Sequence, residues 1–512
     1  MIERALISVY DKTGLDAFAR GLAELGVELV ASGGTAAFIE EHELGVTLLE
    51  ELTGAGELLG GRVKTLHPHV HAAILARADS EEDAATLDEF GIRPFQLVCV
   101  NLYPFTHIAW RRGVTEEDAV EMIDVGGPAM LRAAAKNYVH VTPVCRPDQY
   151  DAVLAELREH GELSVDTRRR FAAEAFATTA AYESAIAAWF AEGHESARTV
   201  TPTFEKVLDL RYGENPHQRA AFYAEAGARR HVLSRVDQLQ GDDLSFNNLA
   251  DLSAARALGE EFAVPACVIV KHTNPCGVAL GTTIGEAYER ALAADPVSAY
   301  GGVVVCNRPI DGALGGRLAE QFAQVLFAPG FDEDARAALG TKPAMRVLLD
   351  SERRQASPGE RDYRRVMGGL LIQDSDGDVD PREAMEVVCG EPTEGDWGEL
   401  LFAWRVCKHV TSNAIVLARD LQTIGIGAGQ MSRVDAVRLA VEKARGLGHA
   451  CDGAALASDA FFPFADGVQF ALDAGVRVII QPGGSKRDDD VLEAVRSAGA
   501  VMIFTHRRHF RH

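Results

Sequence analysis

Residues 5–35 read ALISVYDKTGLDAFARGLAELGVELVASGGT, and this stretch decides the fold class. Ala5–Tyr10 is a short apolar run with strand character. Leu15, Phe18, Ala19, Leu22 and Leu25 then recur at helical spacing, and Val27–Val30 resumes a strand pattern. A Ser32-Gly33-Gly34-Thr35 turn leads into a second helical segment. Strand, helix and strand in that order imply a parallel sheet covered by helices, hence an α/β fold. The rhythm continues through Leu97–Val100 and Val139–Val144, and an alanine-rich helical region from Thr167 to Phe190 ends the unit. Glu192–Pro202 carries the Gly, Ser, Thr and Pro of a linker.

A chain of 512 residues exceeds what one hydrophobic core serves, so two or more domains are expected. Its 47% hydrophobic and 25% charged content is that of a soluble globular protein. The net charge of −24 argues against sequence-independent nucleic-acid binding, which needs a basic surface. Anionic ligands must then be met by local cations and backbone N–H groups. No apolar run is long enough to span a bilayer, and the first residues lead straight into a strand rather than a signal peptide. The eight cysteines form no C-x-x-C pair, which fits buried free thiols in a reducing, cytoplasmic setting.

Beyond the linker, the strand-like runs Cys267–Val270, Val303–Cys306, Ile424–Ile426 and Val476–Ile480 alternate with helical ones. Two echoes suggest a duplicated α/β module. Lys271-His272-Thr273-Asn274 matches Lys408-His409-Val410-Thr411-Ser412-Asn413, and Ser298-Ala299-Tyr300 matches Ser458-Asp459-Ala460-Phe461. The polar segment Arg353–Arg365 marks a junction between the halves.

Several runs carry chemistry-bearing side chains. The Ser32–Thr35 turn between strand and helix suits an anion, or is a plain turn with Thr35 as N-cap. Ser8 and Lys12 follow the first strand at the same sheet edge, the edge ligands favour. Gly60-Gly61-Arg62-Val63-Lys64-Thr65 sets cations and a hydroxyl after a glycine pair, as a phosphorylated, carbonyl-bearing ligand requires; a solvated basic loop is the bland alternative. In His67-Pro68-His69-Val70-His71, Pro68 breaks any helix face and no acidic or thiol ligand completes the set, so no metal is expected. Asn101–Phe105 ends a strand with Tyr103, and Ile123–Pro128 opens the helix carrying Arg132 and Lys136. Tyr103, Asp124 and Lys136 in one cleft would move protons and hold an oxyanion, although Asp124 also suits a helix cap. In the second half, Arg211–Gln218 is a polar loop, Lys271–Gly277 places a Lys-His pair at a strand end, and Phe461–Asp466 is an aromatic turn, either stacking platform or core.

Taken in order, SVYDKTGL, ASGGTA, GGRVKTLHPHVH, NLYPF, IDVGGPAMLRAAAKN, RYGENPHQ, VKHTNPCG, DPVSAYGG, TSNAIVLA, IGIGAGQMSR, SDAFFPF and RHFRH resemble the bifunctional family of AICAR transformylase and IMP cyclohydrolase over nearly the whole chain. The resemblance implies a methylglyoxal-synthase-like cyclohydrolase domain at residues 1–195. It implies a transformylase region at 200–512, built from two cytidine-deaminase-like α/β modules joined near 350–370. Formyl transfer from 10-formyltetrahydrofolate to AICAR gives FAICAR, which closes to IMP, with no catalytic metal and with a homodimer as the working form. Zinc deaminases need Pro-Cys-x-x-Cys, whereas Pro275-Cys276 is followed here by Gly-Val-Ala.

Carried over by matching motif, Lys271 and His272 assist proton removal from the substrate amine and Asn413 polarises the formyl group. Arg211, Tyr212, Asn248, Arg433, Arg508 and Phe510 hold the nucleotide, and Phe461, Phe464 and Asp466 line the folate pocket. For ring closure, Lys64, Tyr103, Asp124 and Lys136 handle protons and the oxyanion. Ser8, Lys12, Ser32, Gly34, Thr35, Arg62 and Thr65 hold phosphate and sugar. Tyr10 and Tyr300 depart from the family's usual residues. Two other readings compete: a nucleotide-sensing binding protein on this scaffold, and an enzyme with one live activity.

Overall fold

The computed structural model describes residues 2–54, 56, 58–109, 111, 113–191, 198–225, 232–233, 236–350, 361–377 and 380–512. Of the expected linker, residues 192–197 fall outside these, as do 353–360 of the polar segment. The chain divides into two compact units, Met1–Glu205 with Ala224–Arg229, and Lys206–Tyr223 with Arg230–His512.

The N-terminal unit holds the strands β1 (Arg4–Ser8), β2 (Glu28–Ala31), β3 (Thr47–Leu48), β4 (Leu97–Val100) and β5 (Thr142–Val144). They form one sheet in the order β3-β2-β1-β4-β5, with every pairing parallel. Alternate residues feed two cores. Ala5, Ile7, Leu29 and Cys99 pack on one face, and Leu6, Val30, Val98 and Val100 on the other. Burial on both faces is why these strands read as unbroken apolar runs. Gly126–Lys136 and Val165–Phe190 are helices of this unit. Pro68 does not break a helix, contrary to expectation. It opens one, Pro68–Leu75, at the first position, where a missing N–H costs nothing.

The strands β6 (Phe204–Leu210) and β7 (Ala220–Glu225) form a two-stranded sheet, of which Lys206–Leu210 and Ala220–Tyr223 belong to the C-terminal unit. Two modules follow. The first contains β8 (Val236–Gln240), the Phe246–Glu260 helix, β9 (Ala266–Lys271), β10 (Asn274–Leu280), β11 (Val303–Cys306), β12 (Val325–Ala328) and β13 (Arg346–Asp350). A two-stranded hairpin, β14 (Arg361–Val366) and β15 (Gly369–Asp374), lies between them in the chain. The second contains β16 (Glu386–Cys389), the Glu394–Lys408 helix, β17 (Ile415–Arg419), β18 (Gln422–Gly427), β19 (Ala455–Ser458), β20 (Val478–Gln481) and β21 (Val501–Phe504). Together they make a 12-stranded sheet, β16-β21-β20-β19-β17-β18-β10-β9-β11-β12-β13-β8. Read outward from the β10/β18 seam, the two halves repeat the same order and the same parallel and antiparallel pairings.

The duplication is therefore real, but the echoes that suggested it are out of register. Lys271 ends β9 and His272-Thr273 turn into β10, so their topological counterparts are Arg419 and Asp420-Leu421 between β17 and β18. Lys408-His409 instead close the helix before β17. Likewise Ser298-Ala299 precede β11, whereas Ser458-Asp459 stand at the end of its counterpart β19. Packing reveals the true register. A Cβ on Gly277 of β10 would lie 2.0 Å from the Ala291 carbonyl oxygen, and one on Gly425 of β18 would lie 2.1 Å from that of Ala440. Each hairpin thus needs glycine where a helix crosses it closely. One face of the sheet shares a single core across both modules, while the other splits into one core per module.

Candidate active sites

In the N-terminal unit the expected residues gather where β1, β2 and β4 end. After β1, the Val9 N–H donates to Thr35 Oγ1 at 3.1 Å and that hydroxyl is 3.1 Å from the Val9 carbonyl. Thr35 therefore ties the helix to the strand and is not its N-cap. Ser32 holds that place, buried and without a side-chain capping bond, which leaves the first N–H groups of the Gly33–Glu41 helix for an anion. Lys12 Nζ reaches the Val9 carbonyl at 3.2 Å, and burial lowers its pKa. Asn101 after β4 holds this loop by accepting the Tyr10 and Asp11 N–H groups at 2.6 and 3.0 Å and donating to the Asp11 carbonyl at 2.8 Å. Asn101 lies within the NLYPF run, yet nothing in the run singles it out over Tyr103. Tyr103 itself is exposed, its ring 5.3 Å from that of Tyr10.

Asp124 sits beneath the N-terminus of the Gly126–Lys136 helix. Its Oδ1 accepts the Gly127 N–H at 2.8 Å, and its own N–H donates to the Tyr182 hydroxyl at 2.8 Å. A Cβ on Gly127 would fall 2.2 Å from Asp124 Oδ2, so the glycine is what admits the carboxylate. Burial raises the Asp124 pKa against the pull of the Gly127 and Gly126 N–H groups, the setting of a carboxyl that exchanges protons. Thr65 is buried beside Gly126, and Lys64 is half-buried next to it. Arg62 is exposed and paired with Glu121. Lys136 does not join them. It ends the helix that Gly126 begins, and ten steps of ~1.5 Å carry it about 15 Å away along the axis. It lines a cavity of ≈ 720 Å³ with His71, Arg132, Tyr138 and Phe176 instead.

In the C-terminal unit, Lys271 and His272 stand at the β9–β10 turn and border a cavity of ≈ 210 Å³ with Asn274, Cys276, Asp295 and Ala428. Lys271 Nζ donates to the Tyr300 carbonyl. Burial pushes the Cys276 thiol up to about 12, so it stays neutral. The Asn274 side-chain oxygen accepts the Thr411 N–H at 2.9 Å, which brings the segment carrying Asn413 to this turn. Asn413 is held on both sides: Nδ2 donates to the Gln430 carbonyl at 2.8 Å, and Oδ1 accepts from Arg433 at 2.7 Å. Arg433, nearly buried, also pairs with Asp459 at 2.5 Å and donates to Ser458 Oγ at 2.8 Å. These bonds fix Asn413 and neutralise Asp459.

Asn248 is likewise committed: it caps its own helix with Ser245 and donates to Gln324 at 3.1 Å. Its place three residues after a serine before an apolar run was a readable capping signal. Arg211 lies 5.9 Å from the Tyr212 ring and Arg508 4.6 Å from that of Phe510. In the aromatic turn, Phe462 is core at 1% exposure, while Phe461 and Phe464 are open at 39% and 53%, so both readings of that turn hold in part. Asp466 accepts the Gly467 N–H at 2.7 Å.

Two groups escaped the sequence reading. Asp459 accepts from Ser412, Ala414 and Arg433 and organises the Asn413 segment. His509 is buried between Asp376 and Asp380, at 2.5 and 2.7 Å, and its N–H donates to the Asp459 carbonyl at 3.2 Å, anchoring the tail that carries Arg508 and Phe510. Burial opposes a charge on His509, but the two carboxylates outweigh it and lift its pKa to about 9.

Comparison with known proteins shows the family. A sequence model of the AICARFT/IMPCHase bienzyme matches residues 134–443, and one of the MGS-like domain matches residues 14–129. The bifunctional purine biosynthesis protein PurH of Bacillus cereus (strain AH820) is 47% identical over 515 residues, covering 100% of both chains. That of Bacillus mycoides (strain KBAB4) is equally similar, also over the full length of both. The crystal structure of ForH is 38% identical over 37% of this chain and 100% of its own, with a TM-score of 0.34.

Proposed function

This chain belongs to the AICARFT/IMPCHase bienzyme family, a formyltransferase and cyclohydrolase of the last two steps of purine (IMP) biosynthesis, and from that premise we propose which of its residues act in each step. Formyl transfer belongs to the C-terminal unit, with 10-formyltetrahydrofolate as donor and AICAR as acceptor. The acceptor amine is conjugated with an imidazole and is a weak nucleophile, so it needs a positioned base and a polarised acyl group. Lys271 and His272 assist removal of the amine proton. Asn413 turns its Nδ2, whose second bond to the Met431 carbonyl is long at 3.3 Å, towards the formyl oxygen. The Arg433 charge on Asn413 Oδ1 strengthens that donor. Phe461 and Phe464 offer exposed rings to a flat heterocycle, with Asp466 beside them, and Arg508 and Phe510 hold the nucleotide together with Arg211 and Tyr212.

Ring closure belongs to the N-terminal unit. Ser8, Lys12, Ser32, Gly34 and Thr35 surround the open helix N-terminus and seat the phosphate, and Thr65 and Arg62 hold the sugar. Asp124, with its burial-raised pKa, moves protons as the carboxamide nitrogen attacks the formyl carbon and water leaves. Lys64 and Tyr103 support the oxyanion. Lys136 belongs to this step on the family resemblance alone. Homodimerisation and a cytoplasmic setting belong to this reading on the family resemblance alone.

The observation that supports the assignment is the convergence of Lys271, His272, Asn413 and Arg433 on adjoining segments of one unit; in the other, Asp124 and Thr65 meet at the Gly126 helix end, and Thr35 and Lys12 meet at Val9 after β1. Incubation with AICAR and formyl-tetrahydrofolate should yield IMP and tetrahydrofolate. If neither forms and added FAICAR is left untouched, the chain is a nucleotide sensor on this scaffold.

A further inference from the structure

The register of the duplication sets the β9–β10 turn opposite the β17–β18 turn, and both run through the left-handed region. His272 and Thr273 have φ of 55° and 61°, and Asp420 and Leu421 have φ of 54° and 56°. Left-handed backbone is costly for side chains with a Cβ, most of all for a β-branched residue such as Thr273. Each turn is held by a carboxylate from the helix that precedes the hairpin. Asp251 accepts the Thr273 N–H at 2.6 Å and the His272 N–H at 3.3 Å. Glu399 accepts the Leu421 N–H at 2.8 Å. Asp251 is the sixth residue of the 15-residue Phe246–Glu260 helix, and Glu399 the sixth residue of the 15-residue Glu394–Lys408 helix. The same device therefore appears twice, once under a turn bearing Lys271 and His272 and once under a turn bearing Arg419 and Asp420. The second turn is closed off, because Arg290 donates to the Asp420 carbonyl. In the first, the matching His272 carbonyl is met locally, by Thr273 Oγ1 at 2.7 Å and Asn274 at 3.3 Å.

We propose that Asp251 is a positioning residue for formyl transfer: by gripping two consecutive N–H groups it fixes the left-handed turn that aims His272 and Lys271. The proposal rests on the reading of Lys271 and His272 given above. Asp251 itself stays off the substrate. Its burial lifts its pKa while the two N–H groups oppose that rise, and burial does the same to Glu399.

Formyl transfer and FAICAR cyclisation are measured side by side on the full-length Asp251→Ala, Glu399→Ala, His272→Ala and Asp251→Ala/Thr273→Gly proteins. Asp251→Ala should lower the formyl-transfer kcat by about 10²-fold, the scale on which a misplaced group costs rate, with KM little changed. Cyclisation should stay at the wild-type rate. Thr273→Gly, which makes the left-handed turn free of Cβ strain, should restore much of the loss. Glu399→Ala should leave formyl transfer intact. Wild-type kcat in Asp251→Ala beside a dead His272→Ala would overturn the role of Asp251 alone. An active His272→Ala would instead overturn the underlying site. Loss in Glu399→Ala equal to that in Asp251→Ala, or no rescue by Thr273→Gly, would reduce Asp251 to a general structural part. If Asp251→Ala does not fold, Asp251→Asn keeps the volume and one acceptor, and the same rescue decides.

Discussion

The two modules of the C-terminal unit share strand order, pairing sense, a glycine under each crossing helix and a carboxylate beneath each hairpin turn. They differ in what the turn displays: Lys271 and His272 in one, Arg419 and Asp420 in the other. Packing and backbone hydrogen bonds explain the likeness, since they constrain every copy of the fold alike. On the proposed reading chemistry constrains one turn only, and the other is a joint, closed by Arg290. The second module contributes differently, through its Asn413–Arg433–Asp459 network and the tail clamped by His509. The proposed site thus draws on unlike parts of two like modules.

The sharpest way to break this comparison is to remove the two turn side chains in turn. His272→Ala should lower formyl transfer by about 10²- to 10⁴-fold, the usual worth of a positioned acid or base, while Asp420→Ala leaves it unchanged. Comparable losses in the two would erase the asymmetry. Next in size, Arg433→Met leaves Asp459 as a buried, unpaired carboxylate. It should destabilise the C-terminal unit by about 3–5 kcal/mol in denaturant unfolding, because the remaining carboxylate stays buried without its counter-charge. A stability loss under half that size would mean that water or another cation reaches Asp459.

The strand runs and the parallel N-terminal sheet were legible because burial on both faces writes itself as apolar stretches with few interruptions. The register of the duplication was not. Short echoes such as Lys271–Asn274 and Lys408–Asn413 report composition, whereas register is kept by Gly277 against Gly425 and Asp251 against Glu399, residues with few common letters around them. The distance between Lys136 and Asp124 was not legible either: they are close in sequence, but a helix turns that closeness into length. Asn248, Arg433 and Asp459 show the limit on site reading. A polar side chain in a motif also serves the backbone or a buried charge, and only its partners show that.

A gentler probe tests likeness rather than difference. Gly277→Ala and Gly425→Ala each drive a Cβ into a helix carbonyl and should each cost about 1–3 kcal/mol of stability, by nearly equal amounts. A large inequality would show that the modules are not packed alike. The smallest effect concerns the clamp found in the second module. The His509 pKa of about 9 lies above its free value of ~6.5, so its stabilisation is complete below that value and fades as pH rises through about 9. On the acid side, burial would raise Asp376 and Asp380, but His509 outweighs it and holds both low; their share is lost only as pH falls through those lowered values. Melting of the C-terminal unit should therefore weaken from neutral to alkaline pH, and His509→Phe should flatten that slope. An unchanged slope would remove the clamp from the alkaline response.

The central claim, a doubled fold with a single reacting turn, is tested most directly by the crystal structure of the chain with AICAR bound. The amine should lie within hydrogen-bonding distance of His272 and beside Asn413, with the Asp420 turn empty. AICAR seated at the Asp420 turn, or occupying both turns alike, would contradict it.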